Sequence, residues 1–294
     1  MIIKTKIVIS SNPNNLKNYL KNFKKSGTVE AEYGDVTVFG SVISLAHHGL
    51  NSNNPPPCEY NSQDFDLDCI GVSHIDLDTL GGIMAISGKK YLPEEFWKTS
   101  GEIDVKGIHK VKIDPYFEIY FNAFYAFSEK HRIFAPRDGS VLDITEQVME
   151  FIDFFKQMSE YLNGFHKEDN IKLINEGIIW KTKLEDLKKA SFVKSDGIIT
   201  LRKSNSFVNF YTKEREIVIA YNTLRKSITI SKSDDDIALD CAKVMKEIFG
   251  EEAGGRSNIA GTPRNLKYEE GDALKVFEEI KEKISKNSTL EDLK

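Results

Sequence analysis

The chain has 294 residues, 40 Lys+Arg against 45 Asp+Glu, and a formal net charge of -5. This mild acidity argues against a protein that coats DNA, and no apolar run reaches the ~20 residues that a membrane-spanning helix needs. Three scattered cysteines (Cys58, Cys69, Cys241) make neither a disulfide framework nor a CxxC site, and the start shows no signal-peptide pattern, so a cytoplasmic, reducing setting is expected.

In chain order, residues 6–10 (KIVIS) read as a short strand. Residues 13–25 read as a helix, with Leu16, Tyr19, Leu20 and Phe23 at helical spacing. The run 28–46 alternates β-branched residues, is broken by turn signals at Gly34 and Gly40, and closes on His47-His48-Gly49. Residues 51–57 form a stiff loop, because three consecutive prolines remove three donors. Residues 69–74 (CIGVSH) suit a buried strand, 79–87 a short apolar helix and 93–98 a helical turn. The stretch 101–112, with Asp104 and His109, reads equally as an exposed hairpin or as part of a site. Aromatic residues at three-to-four spacing mark a buried helix over 114–133, Ala135 to Asp143 is a turn, and 144–162 is the clearest helix. Polar helical segments follow over 163–189. From about residue 190 the pattern becomes short strands at 197–203, 206–211, 216–221 and 227–231, then helices over 236–249 and 271–284 on either side of a glycine-rich stretch at 253–261.

These elements predict an α/β protein of two domains, each a β-sheet flanked by helices. A metal-binding α/β domain covers 1–162, a helical linker 163–190 and a second domain 191–294.

The sharpest chemical signal is His74-Ile75-Asp76-Leu77-Asp78 directly after a buried strand. In extended backbone, positions i, i+2 and i+4 project to one side. His74, Asp76 and Asp78 would then converge at a strand's C-terminal end, where open α/β sheets place ligands. One imidazole and two carboxylates suit Mn, Fe, Zn or Co. The competing reading has Asp78 cap the helix at Thr79, Asp76 in a solvated turn and His74 as a buried histidine. His48 and Asp104 complete a chemically sensible metal set of His74, Asp76, Asp78, His48 and Asp104. Neighbouring side chains on a strand point to opposite faces, so only one of His47 and His48 is expected as a ligand. His47 is then left to contact substrate or solvent, and Asp76, Asp78 and His47 are the catalytic candidates. Gly254, Gly255, Arg256, Ser257 and Asn258 form a second candidate site. Glycines expose consecutive N–H groups that can cradle an anion, and Arg256, with Arg264, would add phosphate contacts. The competing reading there is a helix C-cap and turn.

The run His74-x-Asp76-x-Asp78-x-x-Gly81 after a strand resembles the first motif of the DHH phosphoesterase superfamily. The strand at 227–231, followed by a helix, Gly254-Gly255-Arg256 and Ala260-Gly261, resembles that family's associated substrate-binding domain. The Asp-His-His that names the family has its nearest counterpart in Ala46-His47-His48, which lacks the Asp and lies upstream of the first motif. The pair is either a coincidence or a rearranged chain order that delivers the same side chains. Asp104 and Asp138 are candidates for the family's remaining acids. The resemblance implies a two-domain phosphoesterase that hydrolyses a nucleotide, a cyclic dinucleotide or a short oligonucleotide. Manganese is the implied metal, with Zn, Fe or Co as alternatives. His74 and Asp76 would bind one metal and Asp78 the other, with Arg256 on a substrate phosphate. The expected partners are a small phosphorylated substrate or a short nucleic acid and no membrane, with a homodimer left open. Two alternatives stand beside it: a nucleotide- or RNA-binding protein with a degenerate metal site, and a metal-dependent hydrolase of another bond.

Overall fold

A computed structural model describes residues 5–31, 41–48, 51–205, 210–263 and 265–291. Gly34, Gly40, Gly49, Arg264 and most of the strand expected at 206–211 lie outside these. The fold is mixed α/β, with two sheets and eight helices among the described residues. The chain divides into two compact units, Met1–Lys181 and Thr182–Lys294.

In the first unit, β1 (Lys6–Ile9), β2 (Ser26–Val29), β3 (Ile43–Leu45) and β4 (Cys69–Val72) form a parallel set in the order β3-β2-β4-β1. The two-residue strand β5 (Leu142–Asp143) closes the edge beside β1, antiparallel to it. β2 and β4 are buried along their whole length, as expected for parallel strands covered on both faces. On one face, α1 (Pro13–Leu20) sets Leu16 and Leu20 against Val8 and Cys69. The other face carries the larger core. It is built with α2 (Leu77–Ile86), α3 (Glu94–Lys106), α4 (Pro115–Lys130) and α5 (Thr145–Leu162).

The aromatic run of α4 is core, as its spacing predicts: Tyr120, Phe121 and Phe124 are buried, and Phe124 stacks on Phe155 of α5. Two glycines bring α2 close to its neighbours. A Cβ on Gly81 would lie 2.4 Å from Cys58 Cβ, and one on Gly82 would lie 2.6 Å from Val29 Cγ1. The proline stretch ends in a 3-10 turn at Pro57–Glu59. Lys90 Nζ holds this turn by donating to the carbonyls of Cys58 (2.7 Å) and Tyr60 (2.8 Å).

Two expectations for this unit need correction. The segment expected as a helical turn at 93–98 continues to Lys106, so Asp104 lies on α3 and not in a hairpin. The helix expected at 13–25 stops at Leu20. The polar helical segments expected over 163–189 form one helix, α6 (Glu168–Ala190), and the division between the units falls inside it.

The second unit holds β6 (Phe192–Asp196), β7 (Ile199–Ser204), β8 (Ile217–Asn222), β9 (Ser227–Lys232), β10 (Gly254–Gly255) and β11 (Ile259–Gly261). They form one sheet in the order β10-β11-β9-β8-β7-β6. β7 and β8 run parallel and the other neighbours antiparallel. Two helices, α7 (Cys241–Phe249) and α8 (Glu270–Glu291), complete a separate apolar core with Ile219, Ile230, Met245 and Phe277. Among the described residues, no helix is long and apolar enough to cross a membrane.

Candidate metal centre

Because β3, β2 and β4 are adjacent and parallel, their C-terminal ends share one edge of the sheet. Each strand delivers a functional side chain just past its end: Glu30 after β2, His47 and His48 after β3, and His74 after β4. Asp76 and Asp78 come from the start of α2, and Asp104 from α3. This is the ligand-binding edge of an open α/β sheet.

The side chains meet closely. His47 Nε2 lies 3.0 Å from Asp104 Oδ2, 3.5 Å from Asp78 Oδ2 and 3.7 Å from Glu30 Oε1. His48 Nε2 lies 2.9 Å from Glu30 Oε2, and His74 Nε2 lies 3.1 Å from Asp76 Oδ2. The His48 and His74 rings are 6.4 Å apart. Among the described residues, two groups have ligand atoms close enough to share an ion, Glu30-His47-His48 and His47-Asp78-Asp104, and of the expected ligands His74 and Asp76 belong to neither. Glu30, His47 and Asp78 are buried, whereas His48, His74 and Asp76 keep about a third or more of their side chains exposed (33%, 33% and 40%). The centre therefore has a dry floor and a solvent-facing side.

A fit to metal follows from three atoms. Glu30 Oε2, His47 Nε2 and Asp78 Oδ2 are buried and make no hydrogen bond. A buried polar atom left in this state costs about 1–3 kcal/mol. His47 Nε2 and Asp78 Oδ2 face each other beside Asp104, and Glu30 Oε2 faces His48; in each place a divalent ion would satisfy the lone pairs together. Other groups fix the remaining atoms. The Cys58 N–H donates to Asp78 Oδ1 at 2.8 Å, and the His47 N–H donates to Glu30 Oε1 at 3.0 Å. The ligand set is nitrogen and oxygen only, because the Cys58 thiol is turned to the Trp97 carbonyl at 3.3 Å.

The electrostatics follow from crowding. Burial, reinforced by the charge of Asp76, pushes the Asp78 carboxyl up from the ordinary carboxylate range. Burial opposes charge at Asp76 as well, but the His74 ring and the Thr79 N–H hold its carboxyl low. Burial also opposes a proton on His47, and Asp104, Glu30 and Asp78 outweigh it and raise the pKa.

Several sequence expectations change in detail. His74, Asp76 and Asp78 do not alternate along extended backbone, because the helix begins at Leu77. Asp76 is the residue that caps α2, accepting from Thr79 N at 2.8 Å, while Asp78 faces His47. His47 and His48 both reach Glu30. They lie beyond the last residue of β3, where strand alternation no longer sends neighbours to opposite faces, and their rings sit 4.3 Å apart. Asp138 is exposed and bonded to Ser140 in a turn, and is not in the cluster.

Glu30 is the residue that sequence reasoning missed. The run 28–46 reads as one alternation, which hides the strand end at Val29. A strand end followed by an acid, like the one before His74, is the signal that would have found it.

The glycine-rich stretch of the second unit is a β-hairpin, not a loop following a helix. Gly254 pairs with Gly261 and Gly255 with Ala260. The Arg256 N–H donates to Ile259 O at 2.7 Å, so it does not join an open row of donors. Gly255 adopts φ +150, and a Cβ there would lie 2.4 Å from Ile259 O, so the hairpin itself requires this glycine. A Cβ on Gly254 would meet nothing within 4 Å. Ser257 is exposed, Arg256 and Asn258 are half-buried, and Asn258 Oδ1 is buried without a hydrogen bond.

No protein-family model matches the chain, and no curated protein matches it.

Proposed function

We propose that the chain is a divalent-metal-dependent phosphoesterase that hydrolyses a phosphodiester of a nucleotide, a cyclic dinucleotide or a short oligonucleotide. The observation that carries this reading is the meeting of two separate motifs at one sheet edge, through His47 with Asp78 and His48 with His74. The His47-His48 pair and the His74-x-Asp76-x-Asp78 run are separated in the chain and stand in reversed order relative to the family they resemble. Even so, they reach one cluster, with Asp104 beside His47. The choice of phosphorus rests on the resemblance, since residue types at a metal do not select a bond.

The nitrogen and oxygen set suits manganese, with Zn, Fe or Co as alternatives. Glu30 and His48 would hold one ion, and His47, Asp78 and Asp104 a second, with His74 and Asp76 proposed to complete the first from the exposed side. A bound pair supplies a polarised phosphoryl oxygen and an acidified water. The chain's own part is to fix the ligands and exclude solvent from their floor. Cys58 and the His47 N–H set the angles of Asp78 and Glu30. The partly exposed His48, His74 and Asp76 mark the side from which a phosphodiester approaches.

The test is turnover of a linear dinucleotide, a cyclic dinucleotide and an aryl phosphodiester with Mn²⁺. Hydrolysis is expected to stop with chelator and to fall more than about 100-fold in Asp78→Asn and Glu30→Gln, beyond the loss typical of an outer-shell partner. Undiminished turnover in both variants would contradict the reading, and so would its absence on all three substrates with the metals bound.

A further inference from the structure

We propose that Ser73 is a positioning residue that serves two ligands of the metal centre at once. Its hydroxyl pins the backbone of Glu30 and holds His74 with a proton on Nδ1, so that Nε2 is the ligating atom. The inference rests on the metal reading above and assigns the tautomer and support of that site.

Ser73 is buried between β4 and the end of β2, with 2% of its surface exposed. Its Oγ donates to the Glu30 carbonyl oxygen and lies 2.8 Å from His74 Nδ1. A hydroxyl has one proton to donate and lone pairs to accept. A carbonyl oxygen has no proton to offer, so the serine proton goes to Glu30. The bond to the imidazole must then run the other way, from Nδ1–H to Oγ. Nε2 faces Asp76 Oδ2 at 3.1 Å; in the metal-free chain a proton lies between these two atoms, and a divalent ion would take its place, with Nε2 as the ligating atom. Hydrogen bonding at one ring nitrogen sets which nitrogen binds metal.

The other end of the same hydroxyl meets an unusual backbone. Glu30 has φ +48, a left-handed conformation that a non-glycine residue adopts at a cost of about 1–3 kcal/mol. Three hydrogen bonds hold it there: Glu30 N to Leu45 O at 2.8 Å, His47 N to Glu30 Oε1 at 3.0 Å, and Ser73 Oγ to Glu30 O. The side chain that reaches both histidines thus depends on the hydroxyl that orients the third histidine.

The experiment uses the full chain loaded with Zn²⁺, which is diamagnetic, and ¹⁵N-labelled histidine. Long-range ¹H–¹⁵N spectra are expected to show His74 protonated at Nδ1 and metal-bound at Nε2. Ser73→Ala is expected to weaken Zn²⁺ binding by about 10- to 100-fold with an unchanged far-UV spectrum, and Ser73→Thr, which keeps the hydroxyl, to recover most of that loss. Metal on His74 Nδ1, or unchanged affinity in a folded Ser73→Ala, would overturn this inference and leave the metal reading standing. A wild-type chain that binds no Zn²⁺ would overturn both. If Ser73→Ala does not fold, the wild-type spectrum still decides. It is recorded without substrate, so a lack of phosphodiester turnover would count only against the proposed reaction.

Discussion

Glu30 and Asp78 show what crowding does to a residue. Each is a carboxylate at the floor of a dry cluster with one oxygen bonded to a backbone N–H and the other left without a hydrogen bond. Metal ligands must be deprotonated. The Asp78 pKa is raised above the carboxylate range and that of His47 above its usual value, so both hold protons to higher pH in the metal-free protein than they would in water. Metal binding is therefore expected to release protons near neutral pH, and affinity is expected to fall as pH is lowered. Calorimetry of Zn²⁺ binding in buffers of different ionisation enthalpy reads the proton count directly. A count of zero at neutral pH, with affinity independent of pH, would contradict the crowding described here. Of the residues in the centre, His74, Asp76 and Asp78 were legible because they stand close together after an apolar run. Glu30 was not, since a glutamate in a polar-apolar alternation looks like any solvated strand residue until its strand is known to end.

At the scale of elements, α2 matters most. All ten of its residues are buried, and its two glycines let it lie against β2 and the turn at Pro57–Glu59. That turn delivers the Cys58 N–H to Asp78. Gly81→Ala would gain about 1 kcal/mol of helix propensity at most. Its new methyl would sit 2.4 Å from Cys58 Cβ and 2.9 Å from Cys58 Cα, so the turn must move. Overpacking of this kind costs about 1–3 kcal/mol. The variant is expected to lower the midpoint of thermal unfolding and to weaken metal binding together. An unchanged or raised midpoint would contradict the close approach. The elements that sequence periodicity captured are those with large apolar side chains on one face, α4 and α5 above all. It missed the length of α3, whose fully buried residues beyond Trp97 are Ser100 and Gly101. It also missed β6, largely exposed along its length, and β10, which consists of two glycines.

For the whole molecule, two separate apolar cores support two units, and the first carries the candidate metal centre complete within itself. The α/β class and the change of pattern near residue 190 were visible in the sequence because strand and helix periods alternate there. The order in which strands join a sheet was not visible. That order is what makes an upstream His-His pair and a downstream His-x-Asp-x-Asp run neighbours, since β2 lies between β3 and β4 and places Glu30 between them. The central claim is that these side chains bind two divalent ions. Elemental analysis of the purified chain, before and after reconstitution with Mn²⁺, Zn²⁺, Fe²⁺ or Co²⁺, tests it most directly, with Glu30→Gln and Asp78→Asn alongside. The account predicts close to two equivalents in the parent chain and a loss of metal in both variants. A folded parent chain that holds no metal after reconstitution, or variants that retain the parent's full content, would contradict it.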